Sequence, residues 1–332
     1  MIHASIASTL MDALDDMGVP LAKGLKAARM PTRLIEDRGG YVPVRTYCGW
    51  VDQQARQQGI DNLGLLAIER VGAGGLMAGV VNAIIASPTL YDGLQTFAAL
   101  AYRESSQVSV WLDESHTDLR LCHRGSLPRS VPGQPDMSWW TAGLFVHLVR
   151  LFLGPAWHPE YMGVPAQGRG LPFAAERYPD TQLIEDPDIA WVAIPRRALT
   201  ARPLPAGNKP LPHLASDPIA SPPTSLEACL AELVAMYLPD GWPRIEEAAE
   251  IAELSVRTLQ RRLAARNLTY DELVSNVRFE QARELLDTGE LPIIEIASRL
   301  GYSDSAHFAR AFSRIAGVSP SAYRQGRTKL SN

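Results

Sequence analysis

The sequence predicts two domains, an α+β domain followed by an all-α domain. The first reason is length, because a chain of 332 residues, 46% of them hydrophobic, is too long to fold around one ordinary hydrophobic core. The second is a proline-rich stretch that begins at Ala201. The third is a change of period: several segments before that stretch alternate apolar with polar residues, whereas apolar residues after it recur at helical spacing.

The proline-rich stretch is predicted to be an extended linker. It covers residues 201–225, in which seven of the 25 residues are proline, and it has no apolar period. Proline lacks the N–H that a helix needs and disfavours helix in the preceding residue. The predicted organisation is an N-terminal domain at 1–200, the linker at 201–225 and a C-terminal domain at 226–332.

The N-terminal domain is predicted to contain both helices and strands. Helical spacing of apolar residues marks Ala4–Met17, Arg45–Gln57, Leu76–Ala86, Leu90–Tyr102 and Met137–Leu153. Alternation marks strands at Gln107–Leu112, Asp118–His123, Tyr161–Val164 and Ile189–Ile194. We expect the first two strands to pair as a hairpin. Helices placed before and between antiparallel strands are typical of an α+β domain.

Composition and charge exclude several classes of protein. The three cysteines, Cys48, Cys122 and Cys229, lie far apart and form no metal-binding motif, so we expect reduced thiols, no metal and no cofactor. No signal peptide is recognisable, and the apolar stretches are shorter than the ~20 residues of a membrane span. We therefore expect a cytoplasmic protein without a membrane partner. The net charge of −4 argues against a nucleic-acid-binding domain, which is typically basic.

One unit occurs twice among the seven short helices predicted in the C-terminal domain. The first copy runs from Ile245 to Leu263 and the second from Ile293 to Phe312. Each copy predicts a helix with apolar residues at i, i+3, i+4 and i+7, a tight turn and a second helix, which is a helix-turn-helix pattern. Such a pair can be purely structural, but a tandem pair with a polar face favours DNA binding.

The turns and caps of the two copies fit this pattern. Ser255 and Ser303 are placed to accept hydrogen bonds from the first N–H groups of the two second helices. Gly301 can adopt a left-handed turn conformation without steric cost. Glu253 occupies the corresponding position of the first copy, and if that position is left-handed, glutamate costs about 1 kcal/mol relative to glycine.

The exposed face of the second helix in the first copy has side chains that can form hydrogen bonds with DNA bases. Arg257, Gln260 and Arg261 fall at i, i+3 and i+4 and share a face opposite Leu259 and Leu263. Arginine can bind O6 and N7 of guanine, and glutamine can bind N6 and N7 of adenine. These three residues are therefore predicted to read bases in the major groove of double-stranded DNA.

The second copy presents fewer hydrogen-bond donors. Its candidate DNA contacts are Ser305, Ala306, His307 and Arg310. We expect this helix to anchor the domain and to read DNA shape or a thymine methyl group more than hydrogen-bond patterns.

A single long helix, Thr269–Asp287, is predicted between the copies, with Thr269 and Glu272 forming a capping box. At ~1.5 Å per residue it spans ~28 Å, and successive major-groove faces lie ~34 Å apart. The two copies are therefore predicted to read adjacent major grooves. A stripe expected to contact both copies consists of Tyr270, Leu273, Val274, Val277, Gln281 and Leu285.

These motifs resemble the DNA-binding domain of AraC-type transcriptional regulators. The resemblance rests on SVRTLQRRL, ARELL, IASRLGYSDSAHFARAF and GVSPSAYR, and it covers about residues 225–326. It implies a cytoplasmic regulator that recruits or blocks RNA polymerase, with the residues named above as DNA contacts in the two copies. Glu253 departs from the family pattern, which often has glycine at that turn.

The N-terminal segment is similar to a domain found in a subgroup that includes ornithine-utilisation and virulence regulators. The stretches GLMAGVVNAIIASPTLYDGLQTFAAL and LFLGPAWHPEYMGVP carry this resemblance. It implies a domain that binds a small-molecule effector, dimerises, or does both, and therefore a homodimeric regulator that responds to a ligand.

Aromatic and charged side chains of the N-terminal domain are candidates for the effector site. They are Tyr102, Trp111, Trp140, His147 and Arg150. Aromatic walls and an arginine can hold an amphipathic or anionic molecule. Under the alternative interpretation the tryptophans are ordinary core and Arg150 is a solvated charge.

Two alternatives to a ligand-responsive regulator stay open. The first is an enzyme or reactive-cysteine sensor fused to a DNA-binding domain, and the second is an N-terminal domain that only dimerises. The cysteines lie in no nucleophile motif, which disfavours an enzyme.

The positions of the charges show why a net charge of −4 does not argue against DNA binding. Ser255–Arg266 carries four arginines and no acid, and residues 299–332 carry six bases and one acid. Acidic side chains gather at Glu246–Glu253 and Asp271–Glu295, on the supporting helices. We therefore expect modest non-specific affinity for DNA, with a few arginines supplying the electrostatic attraction.

Overall fold

The computed structural model describes residues 1–125, 127–128, 130–164, 171–186, 188–205 and 221–328. The chain divides into two units. The N-terminal unit comprises Met1–Met30 and Asp37–Pro222, and the C-terminal unit comprises Pro31–Glu36 and Pro223–Asn332.

The N-terminal unit mixes helices and strands, as predicted. Its described α-helices are α1 (Ala4–Asp15), α2 (Leu21–Ala27), α3 (Val44–Gln58), α4 (Leu63–Val71), α5 (Ala78–Ile85), α6 (Leu90–Glu104), α7 (Gln134–Leu153) and α8 (Leu171–Arg177). Its described strands are β1 (Ile2–His3), β2 (Tyr41–Val42), β3 (Val108–Asp113), β4 (Leu119–Gly125), β5 (Tyr161–Val164), β6 (Gln182–Glu185) and β7 (Ala190–Ile194). The predicted helices and strands are all present, whereas α2, α4, α8, β1, β2 and β6 had not been predicted.

The main sheet has five strands in the order β3-β4-β7-β5-β6. β3 and β4 pair antiparallel, from Val108 opposite Gly125 to Asp113 opposite Arg120, which confirms the predicted hairpin. β7 is antiparallel to both β4 and β5, whereas β5 and β6 run parallel. Because side chains alternate along a strand, His123 and Cys122 of β4 face opposite sides of this sheet.

α7 is the central helix of the N-terminal unit, and it packs against α4 and against the sheet. Glycine allows the two helices to approach closely. A Cβ atom on Gly143 would lie 2.4 Å from Cγ2 of Ile68, and one on Gly64 would lie 1.8 Å from the carbonyl oxygen of Asp136. The pair therefore depends on both positions lacking a side chain.

The predicted linker is described only at its two ends, because residues 206–220 lie outside the described part of the chain. At the first end, the carbonyl oxygen of Ala201 accepts a hydrogen bond from the N–H of Leu90 at 2.8 Å, and the N–H of Leu204 donates to Leu151 at 3.0 Å. At the other end, Ser225 caps the next helix. The ends of this segment are thus tied into structured elements.

The described part of the C-terminal unit contains seven α-helices, as predicted. They are α9 (Leu226–Tyr237), α10 (Ile245–Ile251), α11 (Val256–Ala264), α12 (Tyr270–Thr288), α13 (Ile293–Arg299), α14 (Ser305–Ala316) and α15 (Pro320–Thr328). Together α10 and α11 form the first helix-turn-helix copy, and α13 and α14 form the second.

The segment Pro31–Glu36 packs with the C-terminal unit, although it lies early in the sequence. The backbone N–H and hydroxyl of Thr32 donate to the carboxylate of Asp240 at 2.7 and 2.6 Å. The guanidinium of Arg33 donates to the carbonyl oxygen of Ala235 at 3.1 Å. No pattern in the sequence indicated this pairing.

Candidate functional site

The second helix of the first copy presents the predicted base-reading residues to solvent. α11 begins after Ser255, whose hydroxyl accepts a hydrogen bond from the N–H of Thr258, so this predicted cap is confirmed. Leu259 and Leu263 are buried on the inner face of the helix. The polar outer face is therefore held away from the core.

Arg257, Gln260 and Arg261 are all exposed on that outer face. The side chains of the three form no hydrogen bond or ion pair with another described residue. Arg266, farther along, lies 3.7 Å from the carboxylate of Glu227. The two arginines and the glutamine of the outer face are thus available to contact a ligand.

The turn of the first copy is left-handed at Glu253, where φ is +56°. Because this residue is left-handed, glutamate is expected to cost about 1 kcal/mol here relative to glycine. The N–H of Leu254 donates to the carbonyl oxygen of Ala249 at 2.9 Å, and this bond closes the turn between the two helices. Ala249 is buried, so the first helix can approach the second closely.

The second copy differs from the prediction at its cap. Ser303 had been expected to cap α14, but the cap is Asp304, whose carboxylate accepts a hydrogen bond from the N–H of His307 at 2.6 Å. The longer turn of this copy moves the start of the helix one residue along the chain. The backbone hydrogen bond to His307 lowers the pKa of Asp304.

The candidate contacts of the second copy lie at the start of α14. Ala306, His307 and Arg310 are exposed, and Ser305 is half-buried. The imidazole of His307 also packs edge-on against the ring of Tyr302, with 5.4 Å between ring centroids. This histidine is therefore positioned by packing as well as being exposed.

The long helix α12 has the predicted capping box, in which Thr269 and Glu272 bond each other's backbone N–H groups. The stripe predicted along it is right only in its first half. Tyr270, Leu273 and Val274 are buried, but farther along the buried positions are Ala282 and Leu286 instead of Gln281 and Leu285. A helix that packs on one neighbour at its start and another at its end presents two different faces.

Arg278 connects α12 to the turn of the second copy. Its guanidinium lies 3.4 Å from the ring centroid of Tyr302 and 4.2 Å from that of Trp242, and it donates to the carbonyl oxygen of Leu300 at 3.1 Å. Burial lowers the pKa of Arg278. This arginine serves packing, so it does not belong to the exposed basic face.

The five ligand candidates of the N-terminal unit do not converge on one site. Tyr102 is exposed and stacks with Arg103, with 5.2 Å between the guanidinium and the ring centroid. Trp111 belongs to the face of the sheet that carries Cys122 and Trp191. These residues lie away from the inner face, where α7 packs.

His147 and Arg150, also candidates, lie on α7 beside a half-buried carboxylate that was not singled out in the sequence. Nε2 of His147 lies 3.2 Å from Oε1 of Glu69, and the hydroxyl of Tyr178 donates to the same oxygen at 2.5 Å. Arg177 also donates to Glu69. Burial alone would raise the pKa of Glu69, but these hydrogen bonds lower it to about 2.

The Glu69 cluster is therefore a satisfied ionic network that links α4, α7 and α8. Its charges are already paired, so it offers no open position to a ligand. A single glutamate in a predominantly apolar stretch of sequence carried no signal for this role.

Trp140, the fifth candidate, lines a cavity of about 70 Å³. Its indole N–H donates to the hydroxyl of Thr9 at 3.0 Å, which fixes the ring. Three of its polar residues, His123, Gln134 and Ser138, were missed in the sequence because they come from β4 and α7. Only the strand alternation that places His123 on the inner face could have pointed to one of them.

The cysteines lie in surroundings that suppress reactivity. Burial raises the pKa of Cys48 and of Cys122 to about 12, and it also raises the pKa of Cys229. A thiolate is the reactive form of cysteine, so the raised pKa values disfavour reactivity at these side chains. Among the described residues there is also no group of three or more His, Cys, Asp or Glu that could hold a metal ion.

No single helix in the described ranges is long and apolar enough to cross a membrane. By length and composition alone, the bent pair Leu63–Gly75 and Ala78–Ile85 meets that test.

Comparisons with known proteins agree with the two-unit architecture. A family model described as "Helix-turn-helix domain" matches residues 248–326, which include both copies. The ornithine utilization regulator of Pseudomonas aeruginosa is 26% identical over 98% of this chain and 96% of its own. The transcriptional regulator VirS of Mycobacterium tuberculosis is 24% identical, again over 98% and 96% of the two chains.

A solved structure also matches over most of the chain. The transcriptional regulator CdpR from Pseudomonas aeruginosa is 20% identical and covers 92% of this chain and 96% of its own, with a TM-score of 0.39. The paired helix-turn-helix units, their exposed arginines and the near full-length relatives lead to one conclusion: the chain is a DNA-binding transcriptional regulator similar to those of the AraC type.

Proposed function

We propose that the C-terminal unit reads two adjacent major grooves of double-stranded DNA through α11 and α14. In the first groove Arg257, Gln260 and Arg261 contact base edges. The observation that carries this proposal is that these three side chains share one exposed face and form no bond with another described residue. Side chains that recognise bases must be free to form bidentate hydrogen bonds, and these three are free.

In the second groove Ser305, Ala306, His307 and Arg310 anchor the unit. Ala306 can contact a thymine methyl group, and Arg310 can neutralise a phosphate. Binding energy from this copy therefore depends less on sequence than binding energy from the first.

The remaining parts of the chain have supporting roles in this proposal. Residues 1–200 bind a small-molecule effector and hold two copies together as a homodimer, 201–225 form the linker, and 226–332 bind DNA. The cavity beside Trp140 supports effector binding. The bound regulator recruits or blocks RNA polymerase at a promoter in the cytoplasm.

Regulation in this proposal requires no chemistry by the protein itself. The raised pKa values of the three cysteines weigh against a reactive-cysteine sensor. The near full-length relatives reported above are named as regulators, not as enzymes.

The test is footprinting of the full-length protein on DNA upstream of neighbouring genes. We expect a protected sequence long enough to cover two adjacent major grooves. Arg257→Ala should weaken or erase protection, whereas Arg262→Ala, a matched change on the same helix outside the proposed reading set, should preserve it. The absence of any protected sequence, or equal effects of the two variants, would contradict the proposal.

A further inference from the structure

The cavity of the N-terminal unit is lined mainly by apolar side chains. Ile2, Ile6, Val108, Met137 and Trp140 contribute to its walls. Its volume is about 70 Å³. A cavity of about 150 Å³ with apolar walls can hold benzene, so this one encloses only a few heavy atoms.

A buried histidine forms one wall of this cavity. His123 is 8% exposed and contacts the ring of Phe145, with 6.4 Å between ring centroids. Neither ring nitrogen forms a hydrogen bond with a described residue. Burial lowers the pKa of His123 to about 4, so the ring is neutral near pH 7 and carries one donor and one acceptor.

A second polar residue, Gln134, lines the same cavity. The side-chain N–H of Gln134 donates to the hydroxyl of Ser138 at 3.1 Å, but Oε1 of Gln134 is buried and has no hydrogen-bond partner among the described residues. Buried polar atoms in native proteins are nearly always hydrogen-bonded, because leaving one unpaired is costly. The unpaired oxygen of Gln134, together with the unbonded imidazole of His123 in the same lining, therefore points to a bound partner.

Gly125 shows that the two groups approach a common point. A Cβ atom placed on Gly125 would lie 3.8 Å from Cε1 of His123 and 3.9 Å from Nε2 of Gln134. Both side chains therefore border the space directly above this glycine. That space is where the polar end of a ligand would meet them.

The lining also restricts the charge of a ligand. No Lys, Arg, Asp or Glu is present among the described residues that line the cavity. An ion placed there would lose its hydration without gaining an opposite charge, which is strongly unfavourable. A neutral polar head that donates to Oε1 of Gln134 and shares a second hydrogen bond with His123 satisfies both groups.

We propose that this cavity binds a small uncharged amphipathic molecule, with a hydroxyl or carboxamide head between His123 and Gln134 and a short apolar tail against Trp140. The proposal rests on the proposed effector role of the N-terminal unit and names the chemical class of the effector. It replaces the wider expectation of an amphipathic or anionic ligand by a neutral one.

The test uses full-length protein and four probes of equal chain length: butan-1-ol, butyramide, butyrate and butylamine. Binding is followed through the ¹H–¹³C resonances of the histidine rings, with the His123 signal assigned by its loss in His123→Gln. We expect the alcohol or the amide to shift the His123 signal in a saturable way. The two ions should leave it unchanged at equal concentration.

The decisive variant is Gly125→Ala. Its new methyl group makes only ordinary van der Waals contacts, so the fold is retained, but it occupies the space between the two polar groups. We expect it to weaken probe binding at least about tenfold. Gly49→Ala is the matched control, because a Cβ atom there meets nothing within 4 Å.

Each outcome decides the proposal. Saturation by neutral probes that Gly125→Ala abolishes and Gly49→Ala preserves supports it. No binding by any probe, preferential binding of an ion, or unchanged binding to Gly125→Ala overturns it. A promoter reporter distinguishes failure of this site from failure of the proposed effector role. An effector response that survives Gly125→Ala supports the effector role and rejects this site. Saturable probe binding without any reporter response supports the site and rejects the effector role.

Discussion

The two helix-turn-helix copies share a sequence pattern but are stabilised differently. In the first copy, two leucines hold α11 against its supporting helix, and the turn passes through a glutamate in a left-handed conformation. In the second, Phe308 and Phe312 belong to a group of aromatic rings, and the turn passes through Gly301. The first copy exposes more hydrogen-bond donors on its second helix, whereas the second copy has more aromatic packing. Under the proposed function, one motif thus supplies recognition in the first copy and anchoring in the second with the same backbone plan.

The largest difference between the copies should appear when a core side chain is removed. Phe312 packs against Phe279, Phe308 and Tyr323, with ring centroids 5.2–5.9 Å away. Phe312→Ala should lower the free energy of unfolding of the C-terminal unit by about 3–5 kcal/mol. Hydrogen exchange of α12 peptides, read by mass spectrometry, measures this loss.

The matched change in the first copy is Leu263→Ala, with an expected loss of about 2–5 kcal/mol that falls below the loss for Phe312→Ala. An equal or greater loss at Leu263 would show that the copies are anchored equally.

The turns should respond to substitution with opposite signs. A Cβ atom on Gly301 would lie 2.6 Å from the carbonyl oxygen of Leu238, and φ there is +70°. Gly301→Ala should therefore cost about 2–4 kcal/mol through backbone strain and overpacking. Glu253→Gly, at the equivalent position, should raise the free energy of unfolding by up to about 1 kcal/mol, since it relieves the same kind of strain. Calorimetry checks both, and a loss of stability in Glu253→Gly would contradict the comparison.

DNA binding should separate the copies through two equivalent arginines. Arg261→Ala should cost about 1–3 kcal/mol on the cognate sequence and relax base preference at one position. Arg310→Ala should weaken cognate and random DNA by similar factors, because we expect it to contact a phosphate. Binding to a set of single-base site variants distinguishes the two. The asymmetry fails if Arg310→Ala changes base preference and Arg261→Ala does not.

The helix caps should give the smallest effect and differ in their response to pH. Ser255→Ala should cost about 1 kcal/mol at any pH, because a hydroxyl does not titrate in this range. The cap of the second copy is a carboxylate whose pKa lies below its ordinary value of 3.8. Its contribution is present above that value and is lost as the pH falls through the lowered pKa. The loss of melting temperature in Asp304→Ala should therefore shrink on acidification, and a loss independent of pH would contradict the role of the charge.

Much of the C-terminal unit follows from local sequence. The apolar spacing, the turn residues and the capping box each act within four residues of chain, so spacing alone predicts the helices and the exposed face of α11. The errors occur where neighbours decide. Ser303 and Asp304 are both good caps, and only the longer turn selects Asp304. The buried face of α12 turns from Val274 to Ala282 because it packs on different partners along its length.

The N-terminal unit shows the limits of the sequence more clearly. β1 and β2 are two residues each, too short for alternation to be visible. α4 buries residues around most of its circumference, so it lacks the polar face that marks a helix. Glu69, His123 and Gln134 acquire their environments from contacts with distant parts of the chain, and no spacing rule identifies such contacts.

The stacking of Arg278 between two aromatic rings has a consequence for how binding sites can diverge. α12 is capped beside the first copy and held by Arg278 to the second, so one continuous helix sets the distance between α11 and α14. Under the proposed function, single substitutions on the surface of α11 change which bases are preferred. A change in the spacing of the two recognised sequences requires residues to be inserted into or deleted from α12, which would rotate one copy by about 100° per residue. Operators of such a regulator can thus drift in sequence while their spacing stays fixed.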